Sequence, residues 1–297
     1  MMKLGLIGLG RMGNAIAHRV LESEYEVIGF DINKEALGNA KKMGVKVVSS
    51  IMDVAKKTQI IWLMLPDKIV DSVIEQLIPH LKTGAILIDG GNSNFKHSKT
   101  RADALQRLGV CFLDCGTSGG LHGRDIGFSL MVGGKKEAYE KIVSLLTVIA
   151  APEGFGYMGP SGSGHYVKMI HNGIEYGLLQ AYSEGFHLLR EGCYKNLDLE
   201  KISRVWLHGS IIRSWILQLA HDIFKEGQTF DDVMGEIAEG GTGRWMVEEG
   251  KEQFIPLPVI EESLKIRKWS RDSGGNYATK LVALLRNKFG GHEIKKN

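Results

Sequence analysis

The chain has few cysteines, little net charge and no long apolar run, and each shortage argues against a class of protein. Its three cysteines, Cys111, Cys115 and Cys193, cannot all pair, and their spacing gives no zinc pattern. A net charge of +3 over 297 residues, with no Lys/Arg block, argues against a nucleic-acid partner. No apolar stretch reaches the length of a membrane span, and the strand pattern begins at Lys3 without room for a presequence. We therefore expect a cytoplasmic protein of about two domains, with Cys111 and Cys115 as core thiols.

The first half of the chain alternates between strand-like and helix-like patterns. Short apolar runs predict six strands: Lys3–Gly8, Glu26–Phe30, Ile60–Leu65, Ala85–Asp89, Val110–Cys115 and Phe128–Val132. Segments with helical periodicity separate or follow them, as at Ile16–Glu22, Val70–Leu81 and Gly134–Ile149. This alternation predicts a parallel sheet with helices on both faces.

A Gly/Ser-rich segment, Gly159–Gly164, ends this pattern and is interpreted as a hinge. Only helical periodicity follows it, at Tyr166–Arg190, Leu199–Leu207 and Ile211–Phe224. The predicted fold class is therefore α/β. We expect an N-terminal Rossmann dinucleotide-binding domain over residues 1–160 and an all-helical C-terminal domain over residues 161–297.

A glycine motif at the start of the chain predicts where a dinucleotide binds. The motif is Gly8-Leu9-Gly10-Arg11-Met12-Gly13, between the first strand and the first helix. Its glycines permit a tight turn and let helix N–H groups hold a pyrophosphate. Asp31 ends the second strand, where a carboxylate accepts hydrogen bonds from ribose hydroxyls and repels a 2′-phosphate, so we expect NAD rather than NADP. Leu65 and Pro66 follow a later strand and are expected at the same cofactor edge.

A polar stripe marks the helix that follows the hinge. Helical spacing aligns five of its residues on one face: Lys168, His171, Asn172, Glu175 and Tyr176. Exposed faces favour Glu/Lys pairs and rarely combine these residue types, so a solvated face is the less favoured interpretation. A buried polar stripe needs hydrogen-bond partners, and a ligand would supply them.

The stripe also predicts chemistry. A nicotinamide cofactor implies hydride transfer, and a desolvated Lys168 is the best candidate for the base that takes the hydroxyl proton. Asn172 can orient that hydroxyl, and Glu175 could act as a second acid or base. Two glycine-containing loops, Asp89–Ser93 and Gly116–Gly120, follow strands and are expected at the same edge of the sheet, although each could be a plain turn.

These residues resemble a known family. The segment Gly164–Tyr176 is similar to a specific helix of the decarboxylating 6-phosphogluconate dehydrogenases, in their short bacterial form. The resemblance implies that Lys168 is the general base and later the acid, and that Glu175 protonates the enediol after CO2 leaves. His171 and Asn172 are similarly placed active-site residues. The other matching substrate-binding positions are Asn92, Ser118, Gly119, Gly120, Tyr176, Thr242, Arg267, Arg286 and His292. By the same resemblance, Asn92 is expected to contact the cofactor as well as the substrate.

The resemblance also implies partners. Arg286 and His292 match a C-terminal segment that in this family reaches into a neighbouring subunit's site, so we expect a homodimer or homotetramer acting on a small phosphorylated sugar acid. Gly240 stands where long family members have a lysine, and Arg244 or Arg267 is expected to replace that phosphate contact. Asp31-Ile32-Asn33 stands where NADP-dependent members have Asn-Arg-Thr, which again favours NAD. No metal site is expected.

Two alternatives stay open at the level of sequence. The first is a β-hydroxyacid dehydrogenase that acts on a short unphosphorylated acid without decarboxylation. It would keep the glycine motif and Lys168 but would have little use for Glu175. The second is an inactive NAD-binding sensor or assembly protein, against which the intact stripe argues.

Overall fold

A computed structural model of the protein describes residues 2–296, which form two compact units divided between Met169 and Ile170. The chain passes from one unit to the next within a long helix. The domain boundary near residue 160 stays a prediction.

The first unit is built on one sheet of eight strands, in the order β3-β2-β1-β4-β5-β6-β7-β8. In chain order these are β1 Lys3–Ile7, β2 Glu26–Phe30, β3 Lys46–Val47, β4 Ile60–Leu63, β5 Ile86–Asp89, β6 Cys111–Ser118, β7 Phe128–Gly134 and β8 Ala150–Gly159. All six predicted strands are present. The short β3 and the edge strand β8 were not predicted, because neither contains an apolar run.

The sheet is not wholly parallel, which corrects the prediction. Strand β7 pairs antiparallel with β6, whereas the other neighbouring pairs are parallel. The connection between Ser118 and Phe128 is too short for the crossover that two parallel neighbours require, so the chain turns back instead.

The helices of the first unit cover both faces of the sheet. They are α1 Arg11–Leu21, α2 Lys34–Met43, α3 Ile51–Lys57, α4 Asp67–Leu77, α5 Phe95–Gln106, α6 Gly123–Ile126, α7 Lys136–Lys141 and α8 Val143–Ile149. One apolar cluster includes Leu6, Ile16 and Trp62, and a second includes Ile61 and Leu87. Alternate residues of a strand face opposite sides of the sheet, so the two clusters pack against its two faces.

Helix α9, Ser163–Glu191, begins three residues before the predicted Tyr166 and contains the division between the two units. The predicted hinge is not a loose linker. A β-carbon on Gly164 would lie 2.4 Å from the carbonyl oxygen of Met131 and 2.6 Å from that of Asp114, so the helix start lies directly against the sheet.

The second unit is helical, as predicted. After α9 come α10 Leu199–Leu207, α11 Trp215–Glu226, α12 Thr242–Glu252, α13 Pro258–Ser273 and α14 Tyr277–Gly290. Their shared core includes Leu179, Phe186, Leu217 and Leu281, all almost fully buried. Helix α11 begins later than the predicted Ile211, because the side chain of Ser214 accepts a hydrogen bond from Leu217 N and caps it there.

The three cysteines are free. Cys115 is fully buried, and burial raises the pKa of its thiol far above the ordinary value, which confirms the prediction of a core thiol. Cys111 is half-buried and Cys193 is exposed. Within residues 2–296, the structure contains no helix that is long and apolar enough to cross a membrane.

Candidate active site

The glycine motif forms the tight turn that the sequence predicts. Gly8 has a φ of +94°, and a β-carbon there would lie 2.4 Å from the carbonyl oxygen of Met64. A β-carbon on Gly13 would lie 2.0 Å from the carbonyl oxygen of Gly8, so both positions need glycine. Gly10, by contrast, faces open space, and α1 begins directly after it without a side-chain cap. The first N–H groups of α1 and the space beside Gly10 together fit a dinucleotide pyrophosphate.

Asp31 lies at the end of β2 beside this turn. Its Oδ2 accepts a hydrogen bond from Leu9 N at 2.6 Å, and its Oδ1 accepts one from Asn33 N at 2.8 Å. The carboxylate is half-buried, and each oxygen keeps a further lone pair for a ribose hydroxyl. Asn33 caps α2 by accepting from Glu35 N and Ala36 N, which fixes the end of this loop. The arrangement fits the adenosine ribose of NAD.

The loops after β4 and β5 are tied together by a buried arginine that the sequence did not indicate. Arg101 of α5 is only 4% exposed and contacts three carboxylates. Its Nη1 donates to Asp89 Oδ2 at 3.0 Å, its Nε to Asp71 Oδ1 at 2.6 Å, and its Nη2 to Asp67 Oδ1 at 3.0 Å. The guanidinium holds the pKa of Asp71 below its usual value. Arg101 therefore joins the start of α4 to the end of β5.

This network also fixes the conformation of the predicted cofactor loops. Asp89 is fully buried and accepts hydrogen bonds from Ser93 Oγ at 2.7 Å and from Gly91 N at 3.2 Å. A β-carbon on Gly91 would lie 2.3 Å from the carbonyl oxygen of Leu65, so the two loops touch. Asn92, between the bonded residues, is exposed.

The remaining predicted positions of the first unit lie where β6 ends. Ser118 is the last residue of β6, and Gly119 and Gly120 follow it with positive φ angles of 129° and 54°. All three are half-buried. In parallel α/β sheets, ligands bind beyond the carboxyl ends of the strands, and these residues follow the same strand edge as Asp31 and Asn92.

Helix α9 carries the polar stripe, and three of its five members are buried. Lys168 is 6% exposed, Asn172 is 7% exposed and Tyr176 is 6% exposed. His171 and Glu175 are half-buried, and His171 Nδ1 lies 3.2 Å from Asn172 Oδ1. The apolar Ile174, in contrast, is 52% exposed. The stripe is therefore not a solvated face, which agrees with the favoured interpretation.

In the second unit the stripe meets a second buried arginine. Arg267 of α13 is 2% exposed, and its guanidinium carbon lies 3.4 Å from the centre of the Tyr176 ring. Its Nη1 and Nη2 atoms are buried without a hydrogen-bond partner among the described residues. Burial lowers the pKa of Arg267 to about 10, and the nearby positive charge of Arg286 also lowers it, although Tyr176 and Glu175 act in the opposite direction. Two orphaned donors on a buried cation fit an anionic ligand.

Arg286 belongs to the same cluster within its own chain. It lies on α14 and is 7% exposed, and burial lowers its pKa, although Tyr176 and Glu175 are close enough to act in the opposite direction. Thr242, the first residue of α12, is buried. A β-carbon on Gly240 would lie 3.7 Å from the Tyr176 hydroxyl, so the position of the missing lysine borders this cluster.

Two further predicted residues lie outside the buried cluster. Arg244 is exposed, and its Nε pairs with Glu239 Oε1 at 2.9 Å. His292 is also exposed, and its carbonyl oxygen accepts a hydrogen bond from Asn287 Nδ2 at 2.8 Å. The tail beyond it bonds to its own unit, since Met234 N donates to the carbonyl oxygen of Lys295 at 2.9 Å.

Two family models match the chain. Residues 3–166 match the NAD binding domain of 6-phosphogluconate dehydrogenase, and residues 164–295 match the 6-phosphogluconate dehydrogenase C-terminal domain. NAD is therefore the cofactor that both the family model and the geometry around Asp31 support.

Known proteins agree with these matches. An NAD(+)-dependent decarboxylating 6-phosphogluconate dehydrogenase of Haloferax volcanii is 46% identical over 99% of this chain and 98% of its own. A decarboxylating 6-phosphogluconate dehydrogenase of Buchnera aphidicola is 34% identical over 89% of this chain but only 60% of its own, longer chain.

Solved structures share the fold. The Plasmodium falciparum 6-phosphogluconate dehydrogenase superposes with a TM-score of 0.81 at 29% identity, covering 90% of this chain and 62% of that one. A Mycobacterium tuberculosis 3-hydroxyisobutyrate dehydrogenase superposes with a TM-score of 0.72 at 18% identity, covering 96% of this chain and 100% of that one, which shows the fold alone. Taken with the two family models, these likenesses show that the chain belongs to the 6-phosphogluconate dehydrogenase family.

Proposed function

We propose that the protein oxidises and decarboxylates 6-phospho-D-gluconate to ribulose 5-phosphate and CO2, with reduction of NAD. The observation that carries this proposal is Arg267, whose buried guanidinium has two orphaned donors. The phosphate of 6-phosphogluconate would supply acceptors for both nitrogen atoms. The name of the Haloferax volcanii relative points to the same reaction.

The chain's own residues hold the cofactor at the first unit. The glycine turn Gly8–Gly13 would receive the pyrophosphate, with the backbone of Leu9, Arg11 and Met12 around it, and Asp31 would accept hydrogen bonds from the adenosine ribose. Leu65, Pro66 and Asn92 would border the remainder of the cofactor. When bound, NAD would supply the acceptor for a hydride from C3 of the substrate.

Lys168 acts first as a base and then as an acid. As neutral amine, it takes the proton of the C3 hydroxyl while the hydride departs, and Asn172 orients that hydroxyl. The 3-keto acid that results carries its carboxylate β to a carbonyl. The ammonium of Lys168 polarises this carbonyl so that the C1–C2 bond can break and CO2 can leave, and the proposed route needs no metal.

Glu175 completes the reaction. After CO2 leaves, the enediol must gain a proton at carbon, and Glu175 is the proposed donor, with His171 beside it on the helix. In this scheme Tyr176, Thr242, Arg267 and Arg286 hold the phosphate, and Arg267 replaces the lysine that is missing at Gly240. Asn92, Ser118, Gly119 and Gly120 are the substrate-binding positions that we propose in the first unit.

We also propose that the protein is a cytoplasmic homodimer or homotetramer in which the C-terminal tail, including His292, reaches the neighbouring site. Exposed apolar side chains of the second unit support self-association, among them Leu178, Ile212 and Trp215, each between 44% and 45% exposed. Arg286 lies beside Tyr176 and Glu175 of its own chain. An alternative is therefore that Arg286 serves the site of its own subunit rather than that of the neighbour.

Hybrid oligomers separate these arrangements. Lys168→Met subunits mixed with Arg286→Met subunits form sites that combine an intact Lys168 with a neighbour's intact Arg286. Activity should recover in verified hybrids if Arg286 serves the neighbour, and should stay absent if it serves its own subunit. A mixture of Lys168→Met subunits with His292→Ala subunits tests in the same way whether His292 serves the neighbouring site.

The proposed reaction is tested by measuring CO2 and NADH from 6-phosphogluconate. Lys168→Met should lower NADH production by about 10²–10⁴-fold, because the general base is removed. Glu175→Gln should keep NAD binding and impair the later protonation. Near-normal NADH production by Lys168→Met would show that the base is wrongly assigned. NADH formed without CO2 would favour the non-decarboxylating β-hydroxyacid dehydrogenase.

A further inference from the structure

A buried carboxylate in the first unit fixes the start of helix α9. Asp114 of β6 is fully buried. Its Oδ1 accepts a hydrogen bond from Gly162 N at 2.7 Å, and its Oδ2 accepts one from His165 N at 2.9 Å. The first N–H groups of a helix lack partners within the helix and carry partial positive charge, so both oxygens are held by the helix start.

The next residue on the same face of β6 sets how closely the helix approaches. Side chains at positions i and i+2 of a strand face the same side, so Asp114 and Gly116 both face α9. A β-carbon on Gly116 would lie 2.3 Å from Cβ of Lys168 and 2.9 Å from the carbonyl oxygen of Gly164. Any side chain at this position would push Lys168 away from the strand.

A third contact limits rotation of the same turn. The imidazole of His165, 2% exposed, has its Nδ1 2.8 Å from Ser98 Oγ on α5. Asp114 therefore binds the backbone of the helix start, and Ser98 contacts the side chain of its first turn. Gly116 allows the helix to approach the strand closely. Lys168 follows His165 by one helical turn.

We propose that Asp114 is a positioning residue for Lys168, and that it sets the place of the amine by fixing the height and rotation of the first turn of α9. This inference rests on the proposed role of Lys168 as the base. Proton transfer needs donor and acceptor within hydrogen-bond reach, and a displacement of about 1 Å can cost about 10²-fold in rate. A small shift of α9 should therefore slow oxidation without preventing NAD from binding.

The first test is Asp114→Asn, which keeps the shape but replaces one acceptor oxygen by an NH2 group that faces a backbone N–H donor. We expect kcat to fall by about 10–100-fold, with the KM for NAD within about threefold of the wild-type value. The primary isotope effect on kcat with C3-deuterated 6-phosphogluconate should increase, because hydride transfer becomes more rate-limiting. The matched control is Val54→Ala, a truncation in the core of the same unit, compared at temperatures where both variants are folded; its kcat should stay unchanged.

Gly116→Ala supplies a second variant if Asp114→Asn does not fold. It keeps the carboxylate and displaces Lys168 through the added β-carbon, and it should show the same fall in kcat and the same isotope effect. A kcat within threefold of wild type in either folded variant would overturn the inference, as would an equal loss in Val54→Ala. If Lys168→Met itself keeps activity, the base assignment fails; if Lys168→Met is inactive but Asp114→Asn is normal, only the present inference fails.

Discussion

Two arginines, one in each unit, are both almost fully buried but have opposite surroundings. Arg101 is 4% exposed and Arg267 is 2% exposed. Arg101 donates to three carboxylates, whereas Arg267 lies on the ring of Tyr176 with two orphaned nitrogen atoms. Burial alone would lower the pKa of both, but the carboxylates around Arg101 raise its pKa overall, and that of Arg267 falls to about 10.

The difference distinguishes a cation used by the fold from one available to a ligand. Burying a charge costs free energy unless the charge is paired. A buried cation without a partner in the chain is therefore expected where a bound ligand compensates that cost. Arg101 finds its partners within the chain and links the loops after β4 and β5. Arg267 lies on an aromatic face, and its Nη1 and Nη2 atoms have no hydrogen-bond partner among residues 2–296, so a phosphate would supply the missing acceptors.

The largest expected effect is on stability and comes from removing Arg101, the arginine that is paired with carboxylates. Arg101→Met should lower the free energy of unfolding by about 3–5 kcal/mol, because it leaves the buried carboxylate of Asp89 without its cation. Denaturant unfolding measures the change, and the KM for NAD should rise because the cofactor loops lose their support. The control is Asp71→Asn at the exposed edge of the network, which should cost less. A loss below about 1 kcal/mol for Arg101→Met would mean that the network does not hold the loops.

The next effect is on substrate binding and comes from removing Arg267, the arginine without a carboxylate partner. Arg267→Met should raise the KM for 6-phosphogluconate by about 10²–10³-fold while leaving the free energy of unfolding unchanged or higher, because an unpaired buried charge is removed. Lys268→Met, the solvent-facing neighbour on the same helix, is the matched control and should leave the KM unchanged. Parallel losses of stability and affinity in Arg267→Met would show that Arg267 serves the fold.

A smaller effect concerns pH and follows from the lowered pKa of Arg267. The guanidinium is charged below its pKa of about 10 and loses its proton as the pH rises through that value, so affinity for the phosphate should be constant up to about pH 9 and then fall. At pH 10.5 the dissociation constant for 6-phosphogluconate should be about fourfold higher than at pH 8. Calorimetric titration checks this, and a constant value from pH 8 to 10.5 would contradict it. Any change in Arg267→Met over this range should be smaller.

A separate effect, on the choice of cofactor, concerns Asp31, whose carboxylate is partly satisfied by its own loop. We expect kcat/KM to favour NAD over NADP by at least about tenfold, which is about 1.4 kcal/mol. Asp31→Asn should reduce this preference, because the charge that repels a 2′-phosphate is removed. Equal values for the two cofactors in the wild type would contradict the assignment and direct attention to Lys34.

Local patterns predicted much of this molecule. The glycine turn and Asp31 belong to a motif whose residue types and spacing can be read from the sequence, and the stripe from Lys168 to Tyr176 depends on helical spacing alone. Arg101 could not be predicted, because its partners lie 12 to 34 residues away on other elements and a search for apolar periodicity ignores a buried polar face. Asp114 left one signal, a lone charge within an apolar strand. The cluster of Arg286 with Arg267 depends on the packing of three helices, which no single segment encodes.

The claim that Arg267 is kept unpaired for a phosphate is tested most directly by comparing two ligands, 6-phosphogluconate and gluconate. Calorimetric titration should show that the wild type binds the phosphorylated acid at least about 100-fold more tightly, and that this preference nearly disappears in Arg267→Met. In Arg101→Met, measured where the protein is folded, the preference should remain. An Arg267→Met protein that keeps the full preference for 6-phosphogluconate would contradict the account.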